Sequence, residues 1–180
     1  MNSVLEKQIK GLCLLLPLSL FLFFPATPVL SGTLPRADSA ACNTIPSLNK
    51  KVKSFVASRI NKKEGDGSCW ALAKGALNSA GAAWNGAYEY GLLLNPETDC
   101  IFPGDIIQFE GVEIRYGKDG ARFEEHMQHH TAVIYKVLDK GKYQLAHQNF
   151  GRSKKVCLSE LDVQNIISGN YFIYRPTKGE

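Results

Sequence analysis

Gly65-Asp66-Gly67-Ser68-Cys69-Trp70-Ala71-Leu72 is the stretch on which the reading of this chain turns. A flexible Gly/Asp/Ser run hands a cysteine to an apolar, Ala-rich segment running from Cys69 to Ala83. That segment predicts a helix. Its residues are good helix formers, Leu72, Ala76 and Ala80 recur one turn apart, and Gly81 supplies an end. A thiol in the first turn of a helix meets the positive end of the helix dipole, which favours the thiolate, the nucleophilic form. The competing reading is a buried or disulfide-bonded cysteine beside a core tryptophan, Trp70. The rest of the chain has to decide between the two.

Upstream of this stretch, Ser47 caps a predicted helix that runs to about Asn61. Leu48, Val52, Phe55, Val56 and Ile60 fall on one face, with Lys50, Lys51 and Lys53 off it. Residues 32–46 are rich in Pro, Ser, Ala and Thr and read as a linker. Residues 1–31 read as a secretory signal peptide. Lys7 and Lys10 precede an apolar run from Gly11 to Phe24, which is short for a membrane span. Small residues at Ser31, Gly32, Ala37 and Ser39 allow cleavage anywhere from 31 to 39. A lipoprotein reading would use Cys42 but lacks the Leu three residues before it. An uncleaved anchor is the other alternative. The expected location is secreted, periplasmic or extracellular, with no stable membrane insertion once the signal is removed.

Downstream the period changes from helix to strand. Pro103-Gly104-Asp105 is a turn, and Ile106 to Glu110 a strand. Val112–Tyr116 and Ala121–Glu124 flank Gly117-Lys118-Asp119-Gly120, a hairpin signal. Thr131–Leu138 is a buried strand, turned by Asp139-Lys140-Gly141 into Lys142–Asn149. Trp84 to Leu94 is ambiguous between loop and short helix. Val156–Leu158 reads as a short strand, Ser159–Ile167 as a short helix capped by Ser159, and Tyr171–Arg175 as the last strand. Helices followed by a meander of antiparallel strands make an α+β domain over residues 47–176.

The formal charge of +4 and the lack of any like-charge block give nucleic-acid binding no support. Of five cysteines, Cys13 leaves with the signal. Cys42, Cys69, Cys100 and Cys157 then face an oxidising compartment. Two bridges would consume Cys69, and one would leave it free. Cys100 and Cys157 both sit beside predicted strands and are the expected pair, with Cys42 left over in the arm. Connectivity is not fixed by sequence alone.

His130 begins the Thr131–Leu138 strand, and by alternation shares a face with Ala132 and Ile134. On the next strand His147 and Asn149 share a face with Leu145. A hairpin turn near Gly141 brings His130 to the His147–Asn149 end. A cysteine at a helix start, a histidine at a strand start and a polar partner beside it meet the needs of thiol catalysis. The imidazole takes the thiol proton and later protonates the leaving amine, while the partner fixes its tautomer. A zinc reading of His126 and His130, four apart, fails on Met127, which stands where such motifs carry Glu, and on the strand-like sequence after it. His126 and His129 read as rim residues, Trp70 as core, and Trp84 or Tyr88 as cleft lining.

Gly67-Ser68-Cys69-Trp70-Ala71 resembles the local papain signature, but His130 follows Cys69 at less than half the interval of about 130 residues that papain uses. The order of motifs is similar to the compact CHAP and NlpC-type amidohydrolases of the papain-like superfamily. A Cys opens a helix, then comes Pro103-Gly104-Asp105-Ile106-Ile107, then His130-Thr131-Ala132-Val133-Ile134, and Tyr174-Arg175-Pro176 closes. CHAP domains continue with Glu-x-Asn, and here the segment is His147-Gln148-Asn149. Gly65–Trp70 and His129–Ala132 further resemble the C-terminal papain-like domain of fungal actin-patch proteins of the myosin-tail-interacting type. The resemblance implies a cysteine peptidase or amidase acting on an amide in a peptide or peptidoglycan-like substrate of the cell wall, and a monomer with no cofactor or metal is expected. It implies Cys69 as nucleophile, His130 as base and acid, and His147 as the orienting residue with Asn149 as its alternative or second support. His147 departs from the CHAP acid, so a catalytically silent binding module is the competing reading.

Overall fold

In a computed structural model the described residues are 42–118, 120–151 and 153–179. The signal-peptide expectation and most of the linker lie outside them. Two helices pack on a six-stranded antiparallel sheet, an α+β arrangement. No helix among the described residues is long and apolar enough to cross a membrane.

Helix α1 (Ser47–Arg59) and helix α2 (Cys69–Ala80) come first. Ser47 is the first helical residue of α1 rather than its cap, Pro46 taking the cap position. Pro suits this place because its missing N–H would have had no helical partner. At α2, Ser68 Oγ accepts from Ala71 N at 3.2 Å, and Gly81 ends the helix in the left-handed conformation at φ 72°. The strands are β1 (Leu92–Leu94), β2 (Ile106–Lys118), β3 (Ala121–Asp139), β4 (Lys142–His147), β5 (Cys157–Asp162) and β6 (Ile166–Arg175). Their order in the sheet is β1-β6-β2-β3-β4-β5.

Strand alternation sorts the buried side chains into two clusters. Ile106, Val133 and Ala146 pack with Val52, Val56, Leu72, Ala76 and Leu77 of the helices. Ile107, Phe109, Ala132, Ile134, Leu145, Leu161 and Ile173, on the other face, pack with one another. Full burial of a Leu or Ile in either cluster is worth roughly 1.5–3 kcal/mol.

The Pro103-Gly104-Asp105 turn is where sheet and helix lock. Asp105 is fully buried and accepts from Asn49 Nδ2 of α1 at 2.6 Å, from Phe102 N at 2.8 Å, and from Arg175 Nε and Nη2 at 3.1 and 2.9 Å. Arg175 also donates to the Cys100 carbonyl. Gly104 has φ 93°, and a Cβ there would run into the Asn49 backbone, so only glycine fits. The motif residues Asp105 and Arg175 thus form an ion pair, with the carboxylate fully buried, where the start of β2 meets the end of β6.

Three expectations are corrected. Ser159–Ile167 is not a helix: Cys157–Asp162 is an edge strand, and Val163–Asn165 a single 3-10 turn capped by Asp162. The cross-strand partners of β4 claim these backbone groups, with Leu145 opposite Ser159 and Tyr143 opposite Leu161. β3 is continuous, so His126 and His129 lie on a strand rather than between two. The disulfide joins Cys42 to Cys100, not Cys100 to Cys157. Cys42 is therefore pinned to the domain, and Cys69 and Cys157 are free thiols.

Candidate active site

The residues Glu64 to Ser68 that deliver Cys69 are held from the sheet. Gln148, fully buried, accepts from Glu64 N at 3.1 Å and donates to Glu64 O at 2.8 Å and Ser68 O at 2.7 Å. Gln148 is the next residue after His147. The start of α2 is thereby fixed to the end of β4 where His147 stands. Cys69 is half-buried. As the first helical residue its N–H has no partner within the helix, which leaves it available to a developing oxyanion.

A second clamp runs through Tyr90. Its ring stacks on Trp84, which in turn packs against Trp70 beside the cysteine. Its hydroxyl lies 2.9 Å from Thr131 Oγ1, and Thr131 donates to Gln108 Oε1 at 2.6 Å. Burial pushes the Tyr90 hydroxyl pKa far up, the charge of nearby Cys69 adding to this, so it stays a neutral hydrogen-bonding group.

His130 and His147 meet between β3 and β4. His130 Nε2 is 3.0 Å from His147 Nδ1, and His147 Nε2 is 3.0 Å from Ser159 Oγ on β5. Phe150 stacks on the His147 ring at 4.1 Å between centroids. His130 is 7% exposed and His147 not at all. Burial, helped by the charge of His129, lowers the His130 pKa to about 4. Burial, helped by His130, lowers that of His147 to about 3. Both imidazoles are therefore neutral at neutral pH, and each has one N–H and one bare nitrogen.

The site residues expected from sequence are partly brought together. His130 and His147 are paired. Among the described residues Cys69 Sγ has no hydrogen bond, so the thiol is not engaged with His130 at rest. The histidines share the sheet face of Ala132 and Leu145, whereas α2 packs on the Val133 and Ala146 face. Thiol and histidine pair therefore lie on opposite faces of the sheet, so the expected Cys69–His130 contact is not formed. Asn149 is not on the shared face. The strand ends at His147, and Asn149 turns outward, exposed, at φ 57°. His126 and His129 are exposed and paired with Glu124 and Glu110 at 2.9 and 2.8 Å. Tyr88 meets His129 edge-on at 4.1 Å on the surface. Among the described residues no three His, Cys, Asp or Glu side chains gather as a metal site.

Gln148, Tyr90, Thr131 and Ser159 were missed from sequence. Gln148 and Thr131 each adjoin a candidate histidine and point to the opposite face, so alternation alone would have flagged them as the helix-side neighbours.

A cysteine at the capped start of a helix, packed on an antiparallel sheet that carries a buried histidine pair, defines a papain-like cysteine proteinase-fold domain. Residues 46–180 match the family described as the AIM3/BBC1 cysteine proteinase-fold domain, and the chain belongs to that family. No curated protein matches the chain. Among solved structures it is similar to the crystal structure of Ly7917, with a TM-score of 0.45, 15% identity, and coverage of 73% of this chain and 63% of that one. The crystal structure of Ly7917 with the hydrolyzing product of MDP gives the same TM-score and identity over 71% and 62%. The chain thus spans less than two thirds of Ly7917.

Proposed function

We propose that this domain is a cysteine hydrolase that cleaves an amide or peptide bond, in a peptidoglycan-like peptide, outside the cytoplasm. The observation that carries the reading is the capped helix start at Cys69, which Gln148 ties to the end of β4. The Cys69 sulfur attacks the carbonyl carbon, its proton moves to a histidine of β3, and the Cys69 N–H faces the oxyanion. That histidine then returns the proton to the leaving amine, and water releases the acyl group. The Cys42–Cys100 disulfide supports an oxidising compartment. The protein works as a monomer in this reading.

A second reading, a catalytically silent binding domain, is favoured by one specific feature. His147 is neutral where a carboxylate would offset the charge of an imidazolium, and burial opposes that charge. The two readings part in one experiment. The protein is incubated with peptidoglycan and with short cell-wall peptides, and new amines are counted. The hydrolase reading expects amine release that Cys69→Ala abolishes. Absence of release across wall types and peptides, with a Cys69 no more reactive than a free thiol, would leave the binding domain.

A further inference from the structure

β3 carries a neighbouring histidine on its other face, the face on which α2 and Cys69 lie. His130, Ala132 and Ile134 turn away from the helices, so His129, Thr131 and Val133 turn toward them. Val133 packs with Leu72, Ala76 and Leu77 of α2. Thr131 Oγ1 lies 2.9 Å from the Tyr90 hydroxyl. We infer that His129, oriented by Glu110, is the catalytic base that takes the Cys69 proton. The inference rests on the hydrolase reading and names which histidine of β3 serves it.

The partner of His129 is in place. Glu110 stands opposite it on β2, with Oε2 2.8 Å from His129 Nδ1. Glu110 Oε1 accepts from Gln108 Nε2 at 2.8 Å, and Gln108 Oε1 accepts from Thr131 Oγ1 at 2.6 Å. An ionised carboxylate only accepts, so the shared proton sits on His129 Nδ1 and Nε2 is bare. Partial burial works against the Glu110 charge, but the hydrogen bonds from His129 and Gln108 outweigh it and hold the carboxyl below its usual range. Glu110 is thus ionised and offsets the charge of a protonated His129. Both side chains are part-exposed, so an imidazolium there stays solvated. His130 has neither advantage: it is buried, and its ring partner is a neutral imidazole.

Three connections bring this pair toward the thiol. Trp70, next to Cys69, donates Nε1–H to the Ala87 carbonyl at 2.9 Å, and the following residue, Tyr88, meets the His129 ring edge-on at 4.1 Å. The Tyr90 hydroxyl pKa is raised by burial and then by the charges of Cys69 and Tyr88, which both lie near it. Gln148 holds the Ser68 carbonyl, and the register that sets Val133 opposite Ala146 carries Thr131 level with Gln148. His129 is one pleat beyond Thr131, roughly 7 Å along the strand. The hydrogen bond to Sγ is not made at rest, as is common before substrate binds. In the reaction the S–H bond of Cys69 breaks as an N–H bond forms at His129 Nε2. The sulfur pair attacks the carbonyl carbon. The C–N bond then breaks as Nε2 returns the proton to the amine, and water cleaves the resulting thioester.

The test uses the full chain and 1,3-dibromoacetone, which alkylates a thiol and then a nitrogen within reach of its three-carbon bridge. Peptide fragmentation that separates residues 129 and 130 locates the second bond. The expected product is the Cys69 sulfur bridged to His129. A bridge to His130, or Cys69 alkylated without a bridge, would overturn the inference, and neither result needs a variant to fold. In Glu110→Gln the alkylation rate of Cys69 by iodoacetamide at pH 6 should fall about tenfold, the upper worth of one hydrogen bond, and Glu110→Asp should recover part of it. An unchanged rate in a folded Glu110→Gln protein would overturn the role of Glu110. If His129→Ala keeps the amine release that Cys69→Ala abolishes, the inference falls and the hydrolase reading stands. If the bridge forms but no wall or peptide substrate releases amine, His129 keeps its place beside the thiol and the hydrolase reading falls instead.

Discussion

Acidification between pH 6.5 and 5 should destabilise this domain through the two buried histidines. Their folded pKa values are about 4 and about 3, below the ordinary value of 6.5. The sign follows from proton counting. In that window the unfolded chain protonates both imidazoles and the folded domain protonates neither. The unfolded state therefore binds more protons, and stability falls as pH falls. Each proton taken up on unfolding contributes a slope of about 1.4 kcal/mol per pH unit, so two give up to about 2.7 kcal/mol per unit. Allowing for partial protonation of the unfolded histidines at pH 6, the loss from pH 6 to 5 is about 2 kcal/mol. That is a large share of the roughly 5–15 kcal/mol that a small domain has. The carboxylates held below their usual range, Asp66, Glu110 and Asp162, act in the same direction but at lower pH. Urea titrations at half-unit pH steps measure the slope. A slope near zero between pH 6 and 5 would refute the burial of neutral imidazoles at this site. In His147→Phe the slope should fall by about half.

Three further outcomes are expected. Removing the disulfide by Cys42→Ser together with Cys100→Ser should cost roughly 2–4 kcal/mol for a bridge between residues 58 positions apart, read as a lower urea midpoint. Asp105→Ala should cost about 3–5 kcal/mol, because it takes the carboxylate from the Arg175 guanidinium and leaves the Asn49 and Phe102 N–H donors unpaired, and thermal unfolding measures it. His147→Ala should lower turnover less than His130→Ala, with Asn149→Ala close to unmodified activity, since Asn149 is exposed beyond the strand end. A larger loss in Asn149→Ala than in His147→Ala would place the orienting role outside the pair described above.

The sequence was legible where one local pattern faced no competitor. Ser68, the Ala-rich run and Gly81 define α2 nearly to the residue, and Gly117 to Gly120 mark the β2–β3 hairpin. The pairing of His130 with His147 followed from strand alternation and one turn at Gly141. Alternation then failed two residues later, because the chain leaves the sheet after His147 and Asn149 takes a left-handed conformation. The β3 stretch through His126 and His129 lacked an apolar signal because its outer part is an edge, paired with β2 but not with β4. There Glu124, Glu125 and His126 face Arg115, Ile114 and Glu113 across the pair, and much of it is wet. Ser159 reads as the cap of a short helix. The pairing that makes it an edge-strand residue comes from β4, which no local pattern encodes. The disulfide was misassigned for a related reason. Nearness to strands ranked Cys157 above Cys42, whereas the geometry of the Pro103–Asp105 anchor brings Cys100 to the start of the described chain.

The central claim is that Cys69 is a nucleophile rather than a core thiol. Its rate of alkylation at pH 7 by a small iodoacetamide, located by peptide mass spectrometry, tests this most directly. Cys157 serves as the internal reference, because burial raises its pKa and slows it. The prediction is that Cys69 reacts at least tenfold faster than a free cysteine in solution, that Cys157 reacts more slowly than one, and that His129→Ala together with His130→Ala removes the advantage of Cys69. A Cys69 that reacts no faster than free cysteine, or that keeps its rate in that double variant, would contradict the account.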